Sequence, residues 1–163
     1  MVTTTLSVRG LVAEVPDPEI PVLTIDDLGI LRDVREGPDG CIEVDITPTY
    51  SGCPAMDAIR SDVEGRLAEA GYDRVRVRLV LSPAWTTDWI SDEGRRKLSD
   101  FGIAPPTGAA AHQSGPVALT LSIRCPQCGS PDTREISRFG STACKALWRC
   151  DTCREPFDHF KAL

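Results

Sequence analysis

The sequence is poor in the residues on which common catalytic and cofactor sites depend. Its 163 residues include only two histidines, His112 and His159, and neither lies near Cys53. No Glu-x-x-His pair is present for a di-iron site, no Gly-x-Gly-x-x-Gly turn for a dinucleotide, and no plant-type ferredoxin spacing for a [2Fe–2S] cluster. A Cys–His nucleophilic pair is therefore not expected, and the chain is expected to be non-catalytic rather than an enzyme.

Long apolar runs are also missing, and the charge is not that of a nucleic-acid-binding protein. No segment approaches the length of a membrane span, and Arg9 and Glu14 interrupt the region where a signal peptide would be apolar. The net charge is −6, divided into −8 for residues 1–116 and +2 for residues 117–163. We therefore expect a cytoplasmic protein that binds neither membranes nor nucleic acid.

Four of the seven cysteines form a pattern that is typical of a metal site. The pairs Cys125–Cys128 and Cys150–Cys153 are each separated by two residues, and 21 residues lie between the pairs. Two such turns can place four thiolates around one Zn²⁺ in a closed tetrahedral shell. Two disulfides, a redox dithiol or an Fe–S centre are the alternatives. Structural zinc is favoured because a disulfide within each pair would not connect the two turns. So small a segment would then have nothing to hold it together.

Composition divides the chain into two folded parts and a linker. Residues 117–163 are predicted to be the zinc ribbon, beginning with a strand in which Val117, Leu119, Leu121 and Ile123 alternate with small or polar residues. Residues 103–116 are rich in Pro, Gly and Ala and are predicted to be an exposed linker that contains His112.

Residues 1–102 are predicted to form a compact α+β domain. Apolar residues from Leu6 to Val15 indicate a first helix, and those from Met56 to Ala70 indicate a second one. Alternating segments at 31–36, 42–47 and 74–81 predict strands, the first two of them joined as a hairpin. Val75, Val77, Leu79 and Leu81 are expected to face inward. The economical arrangement is a small three-stranded sheet with helices on one face.

Cys53 is the residue of this domain with the most chemical interest. It lies between Gly52 and Pro54, and the proline suits a first helical position, so Cys53 is predicted to be the N-cap of the second helix. Helical N–H groups there favour a thiolate over a thiol. Such a cysteine could be a nucleophile, a redox sensor or an iron ligand, and it could equally be a small packing residue.

Several short motifs resemble known families. The segments that resemble the SufT-type iron–sulfur assembly domain, a small α+β unit, are Asp17-Pro18-Glu19-Ile20-Pro21, Leu28-Gly29-Ile30-Leu31 and Thr49 with Gly52-Cys53-Pro54. In the ribbon, the segments Cys125-Pro126-Gln127-Cys128-Gly129-Ser130, Phe139 to Ala146 and Glu155-Pro156-Phe157 resemble the PaaD (PaaJ) family. The motifs follow one another in order along nearly the whole chain.

The resemblance implies a role in a multicomponent system. PaaD-like proteins are accessory subunits of the phenylacetyl-CoA epoxidase of aerobic phenylacetate catabolism, whose oxygenase carries a di-iron centre and whose reductase carries flavin and a [2Fe–2S] cluster. The resemblance therefore implies an accessory or maturation protein that contacts the oxygenase, the reductase or both. A structural adaptor subunit that transfers no metal is the alternative.

The preferred hypothesis is that Cys53 transiently holds iron or an Fe–S cluster for transfer to a client. One thiolate cannot hold a cluster alone, so a homodimer, a client ligand or Cys144 is expected to complete the site. Asp17 and Glu19 are candidates to line the same pocket or are solvated turn carboxylates, and Thr49 is a candidate to orient the loop. Cys144 lies beside Lys145, which could lower its pKa, and is otherwise a packed loop cysteine.

Overall fold

The computed structural model describes residues 5–107 and 123–162. The chain divides into two compact units, Met1–Ser91 and Asp92–Leu163. None of the helices in the described ranges is long and apolar enough to cross a membrane.

The first unit is a three-stranded sheet with helices packed on it, which confirms the predicted fold class. Its elements are α1 (Thr5–Ala13), β1 (Leu31–Glu36), β2 (Ile42–Ile46), α2 (Ala55–Glu69) and β3 (Val75–Leu79), followed by a short 3-10 helix at Thr87–Trp89. The strand order is β1-β2-β3, with β1 antiparallel to β2 and β3 parallel to it. Helix α2 is therefore the crossover between two parallel strands, and it packs on β3 and on α1.

The core of this unit follows the predicted apolar periodicity. On α2 the side chains of Ile59, Val63 and Leu67 are fully buried, and on β2 those of Val44 and Ile46 are too. The opposite face of the sheet carries ion pairs between the strands. Asp45 accepts hydrogen bonds from Arg35 of β1 and Arg78 of β3, each with a shortest distance of 2.8 Å. The strands thus present one apolar and one ionic face, as alternation requires.

The end of β3 differs from the prediction. Val75 and Val77 are half-buried, but Leu79 and Leu81 are 43% and 66% exposed. Alternation assigns Val75, Val77 and Leu79 to one face of β3, but the strand ends at Leu79 and not at residue 81 as predicted. Alternation also does not reveal how far a covering helix extends. Because β3 is the last strand of its sheet, its end has a neighbouring strand on one side only.

The second unit contains the ribbon. Its elements are α3 (Asp92–Asp100), β4 (Ile103–Ala104), β5 (Thr133–Ser137), β6 (Lys145–Cys150) and β7 (Pro156–Phe160), and the strand order is β4-β7-β6-β5. A small apolar cluster consists of Ala104, Ile123, Cys125, Cys150 and Phe157. The core of this unit is therefore built around two of the four clustered cysteines.

The boundary between the two units differs from the predicted one. The sequence places α3 in the first domain and residues 103–104 in the linker, but α3 and β4 both belong to the second unit, where β4 pairs with β7. Ile103 and Ala104 are both buried, so these two residues pack within the second unit. Residues 108–116 of the predicted linker, which include His112, and residues 117–122 of the predicted strand lie outside the described residues. The proposed division at residues 102 and 116 therefore stays a prediction.

Candidate metal centre and candidate transfer site

The four cysteines of the ribbon converge on one point. The Sγ atoms of Cys125 and Cys153 are 3.7 Å apart, and those of Cys128 and Cys150 are 3.6 Å apart. All four sulfur atoms lie within 4.8 Å of one another. A disulfide would require about 2.05 Å, so the four cysteines are clustered without being joined as disulfides. A tetrahedron with Zn–S bonds of about 2.3 Å has S···S edges of about 3.8 Å, which fits the two short separations.

The turn that carries each pair of cysteines is shaped by the residue after it. Gly129 follows Cys128 with φ of +73°, and Arg154 follows Cys153 with φ of +68°. Both are left-handed, and this conformation turns the chain so that backbone N–H groups approach sulfur. In the second turn the N–H of Cys153 donates a hydrogen bond to the Sγ atom of Cys150 at 3.5 Å. Chiefly for that reason, the pKa of Cys150 is lowered to about 6.

This donor set is the one that a structural zinc site needs. Cys125 and Cys150 are buried in the apolar cluster, while Cys128 and Cys153 close the shell from the outer side. With four thiolates and no further donor required, the site would hold Zn²⁺ for folding and leave no position for a substrate. The prediction for Cys125, Cys128, Cys150 and Cys153 as a metal-binding cluster is confirmed.

Cys53 lies in the loop between β2 and α2. The loop turns at Gly52, whose φ is +79° and whose position leaves open space for a Cβ atom. The glycine is therefore required for its backbone angle and not for a close approach. Pro54 is the N-cap of α2, but it has helical angles, and the carbonyl of Cys53 already accepts from Met56 N at 3.3 Å. Cys53 thus lies one residue before the N-cap, whereas the sequence predicts Cys53 itself as the N-cap. Definitions of helix ends commonly differ by one residue.

The environment of the Cys53 sulfur favours the thiol. Its burial raises the pKa, and the negative charge of Glu19 raises it further. The N–H of Ala55 and the side chains of Tyr50 and Thr49 act in the opposite direction by hydrogen bonding to the sulfur. The predicted effect of the helix N-terminus is present, but burial outweighs it. The expected preference for a thiolate is therefore wrong for the protein as it stands.

The two carboxylates of the Asp17–Pro21 turn have different tasks. Asp17 is 5% exposed, and its Oδ1 accepts from the N–H groups of Glu19 at 2.9 Å and Ile20 at 2.7 Å. It therefore holds the turn together. Glu19 is half-buried and lies close enough to Cys53 for its charge to act on the thiol. Of the two candidates, Glu19 acts on Cys53 and Asp17 supports the turn that carries Glu19.

Cys144 belongs to the second unit and is 4% exposed. Its Sγ lies 3.0 Å from Thr142 Oγ1, and its carbonyl accepts from Lys161 N at 2.9 Å. Lys145 directs its Nζ to Asp158 Oδ2, 3.5 Å away. These contacts describe a packed loop, and a transfer role for Cys144 would require the loop to open.

Some polar residues near these sites are not evident from the sequence. Tyr50 contributes to the hydrogen bonding of Cys53, and only its position in the loop could have indicated this. Thr47, at the start of the same loop, is 1% exposed, and its Oγ1 has no partner within the described structure. In the ribbon, Trp148 Nε1 and His159 Nε2 are likewise buried without a partner there, and the two rings meet edge to face at 5.8 Å.

The fold and the two sites define a class of protein: an iron–sulfur cluster assembly domain joined to a zinc ribbon. The family model described as "Iron-sulfur cluster assembly protein" matches residues 7–83, and that of the "PaaD zinc beta ribbon domain" matches residues 109–161. Over 154 residues the chain is 49% identical to an Escherichia coli K12 protein that is provisionally named as a component of 1,2-phenylacetyl-CoA epoxidase, covering 94% of this chain and 90% of that protein. The chain therefore belongs to the PaaD family.

Two further similarities concern the assembly domain. A "Fe-S protein maturation auxiliary factor" of Porphyromonas gingivalis is 39% identical over 83 residues, which are 50% of this chain and 78% of that protein. The crystal structure of a domain of unknown function (DUF59) from Bacillus anthracis superimposes with a TM-score of 0.54 at 26% identity, covering 58% of this chain and 90% of that one. Both support the assignment of the first unit to the assembly fold.

Proposed function

We propose that this protein is a maturation factor of a phenylacetyl-CoA epoxidase system, in which Cys53 receives iron or an Fe–S cluster and passes it to a subunit of that system. The observation that carries the proposal is the open ligand set at Cys53. A half-buried thiol has a carboxylate, Glu19, close enough to act on it, and a hydroxyl-lined loop beside it. The relatives named above supply the class of substrate and of client.

An incomplete ligand set suits a carrier better than a resident cofactor. Cys53 and Glu19 together offer two donors, fewer than iron or a cluster requires. The remaining donors come from the client, so that ligands can be exchanged one at a time during transfer. The ribbon supplies the contrast, because its four clustered cysteines are enough to close the shell around one metal ion.

The raised pKa of Cys53 couples loading to proton release. Iron binds thiolate, so the thiol proton leaves for solvent when the Fe–S bond forms, and no electron changes hands in that step. The same carboxylate that raises the pKa of Cys53 then faces a cation and becomes favourable. Loading is accordingly expected to strengthen as pH rises.

The clients that we propose are the oxygenase and the reductase of the system. The oxygenase needs iron and the reductase needs a [2Fe–2S] cluster, so either can be the recipient. We assign no step of epoxidation to the present chain, whose role in this proposal ends when the client holds its metal.

The test is the metal and sulfide content of protein produced without oxygen, wild type beside Cys53→Ala. Both should contain about one zinc per chain, which serves as an internal reference for folded protein. Iron with charge-transfer absorption in the wild type and not in the variant supports the proposal. Glu19→Gln should load less iron while keeping the zinc.

Zinc alone in both proteins, even after incubation with ferrous iron and sulfide, would overturn the transfer role. The ribbon and the assembly fold would then serve as an adaptor that joins subunits without moving metal. In that case Cys53→Ala should still form the complex and yield an active epoxidase.

A further inference from the structure

The first unit leaves one edge of its sheet open. In the ranges that the structure describes, no strand lies on the far side of β3. The carbonyl of Arg74 and the N–H of Val80 both bond to the β2 side of the sheet. Because successive residues of a strand turn their backbone groups to opposite sides, the even-numbered residues of β3 pair with β2. The odd-numbered residues Val75, Val77 and Leu79 offer their N–H and C=O groups outward.

One face of this edge is apolar and exposed at its end. Leu79 is the last residue of β3 and is 43% exposed, and Leu81, two residues further along the chain, is 66% exposed. Because β2 and β3 are parallel, this end of β3 lies at the edge of the sheet where the Cys53 loop leaves β2. The exposed leucines and the candidate transfer site therefore share one end of the sheet.

The other face of the edge is cationic. Arg76 pairs with Glu43 and Arg78 with Asp45, but the partners are not equally accessible. The arginine side chains are 61% and 48% exposed, whereas the carboxylates are 20% and 11% exposed. A molecule that approaches β3 from its free side therefore meets positive charge on this face, with the neutralising carboxylates behind it.

We propose that the open edge of β3 docks an extended segment of a client protein, which adds to the sheet as a fourth strand. The segment has alternating apolar and acidic residues: the apolar ones pack on Leu79 and Leu81, and the acidic ones meet Arg76 and Arg78. The outward backbone groups of β3 supply the hydrogen bonds. This addition holds the client at the end of the sheet where Cys53 lies.

A second copy of this chain is a poor occupant of the same edge. If β3 paired antiparallel with β3 of another copy, with the apolar side chains on a common face, arginine would stand opposite arginine in every register centred on a residue from Val75 to Arg78. Like charges directly opposite one another destabilise a strand pair. The charge of the edge therefore selects an acidic partner and disfavours self-association.

The proposal rests on the transfer function, since it supplies the position at which the client meets Cys53. It is tested with the zinc-loaded full chain and the purified oxygenase and reductase subunits from the same source. Binding is measured by calorimetry, and backbone exposure by hydrogen exchange of the amides in β3. We expect a complex with one of the subunits in which the amides of Val75, Val77 and Leu79 exchange more slowly.

Two substitutions remove different parts of the docking edge. Val77→Pro deletes an outward N–H while leaving the bonds to β2, and Leu81→Asp places a charge on the apolar face. Each should weaken binding by about tenfold or more, as the loss of a well-packed contact does. Phe139→Asp is the matched control, because Phe139 is 73% exposed and lies in the other unit. Its affinity should equal that of the wild type.

The outcomes separate this proposal from the one on which it rests. If the wild type and both edge variants bind and mature the client equally, the docking edge is overturned and the transfer function stands. If neither subunit binds, client docking is overturned together with the choice of clients. If light scattering shows that the wild type is a dimer and that Leu81→Asp is a monomer, the assignment of an acidic partner would be overturned in favour of self-association.

Discussion

The two cysteine sites differ in completeness, and the difference indicates what each can do. In the ribbon, four sulfur atoms lie within 4.8 Å of one another, and two of those residues belong to the apolar cluster of their unit. At Cys53 a single half-buried thiol has one carboxylate close enough to affect it. A closed shell binds tightly and contributes to folding, whereas an open shell can release what it binds.

The same contrast extends to what holds each unit together. The first unit has a sheet with an apolar face covered by α1 and α2, and fully buried side chains such as Ile59 and Leu67. The second unit has a small cluster in which cysteines take the place of larger apolar residues. A unit with so small a core needs a cross-link such as a bound metal ion. The metal should therefore contribute to the stability of the second unit and not to that of the first.

The largest expected effect is on removal of zinc. Structural zinc contributes on the order of 10 kcal/mol to small metal-dependent domains, so chelation or Cys150→Ser should unfold the ribbon. The first unit should keep its fold, because its core contains none of the four cysteines. Heteronuclear NMR of the whole chain would check this, with loss of dispersed signals confined to the ribbon strands. Loss of signals from both units together would contradict the comparison.

The next effect tests the packing of the first unit at Gly29. Its φ is +70°, and an added Cβ would stand 2.6 Å from the Cβ of Trp89 and 2.7 Å from the Trp89 carbonyl oxygen. Gly29→Ala should therefore lower the free energy of unfolding by about 3 kcal/mol or more. Gly40→Ala is the matched control, because Gly40 has φ of +73° with open space around it. It should cost about 1 kcal/mol, and equal losses measured in urea would show that the contact with Trp89 does not matter.

Acid should weaken the two units in different pH ranges. Burial lowers the pKa of His159 from 6.5 to about 4, so the ribbon loses stability as pH falls from 6.5 towards 4, by about 2 kcal/mol after solvent screening. In the first unit, the hydrogen bond from Arg78 lowers the pKa of Asp45 from 3.8 to about 2, so its contribution is lost only below pH 3.8 and is about 1 kcal/mol.

Hydrogen exchange of each unit against pH would measure these two transitions. His159→Gln should flatten the upper range and Asp45→Asn the lower one, each without effect on the other unit. A ribbon that keeps its acid sensitivity in full after His159→Gln would instead owe it to protonation of the cysteine ligands alone.

A smaller effect compares the two turns of the metal site. Gly129 and Arg154 occupy equivalent positions with φ of +73° and +68°. An L-residue in this conformation costs about 1 kcal/mol relative to glycine. Arg154→Gly should therefore stabilise the ribbon by up to about 1 kcal/mol, and Gly129→Ala should destabilise it by a similar amount. Competition for zinc with a chromophoric chelator would measure both, and equal affinities for all three proteins would show that the turns carry no strain.

The parts of this molecule that can be predicted from the sequence are those that depend on spacing. Strand alternation, the helical period of α2 and the two cysteine pairs each have one geometric consequence, and the structure contains each of them. The exposed end of β3 cannot be predicted in this way, because alternation at Leu79 and Leu81 defines a face but not its cover. From the sequence, Glu19 could line the pocket of Cys53 or be a solvated turn carboxylate. The sequence does not decide between these two roles, because Glu19 and Cys53 are 34 positions apart and their proximity depends on the tertiary fold.

The direction of the pKa shift of Cys53 is wrong in the sequence-based prediction for a related reason. A helix N-terminus can be recognised from Pro54, but the burial that outweighs it arises from tertiary packing, which no local pattern records. The ribbon is easier to predict because the spacing of its cysteines already defines the geometry of its site.

The smallest expected effect on stability is at Cys53 itself. Cys53→Ala removes a half-buried sulfur at the surface of a loop, so the free energy of unfolding should change by no more than about 0.5 kcal/mol. Cys41→Ala is the matched control in the same unit, because Cys41 is 7% exposed and its loss leaves a small void. Urea unfolding and iron loading of both variants should then give opposite orders: Cys41→Ala less stable but able to load iron, Cys53→Ala stable but unable. If Cys53→Ala proved the less stable of the two and loaded iron like the wild type, Cys53 would be a packing residue. The contrast between the closed site of the ribbon and the open site at Cys53 would then not hold.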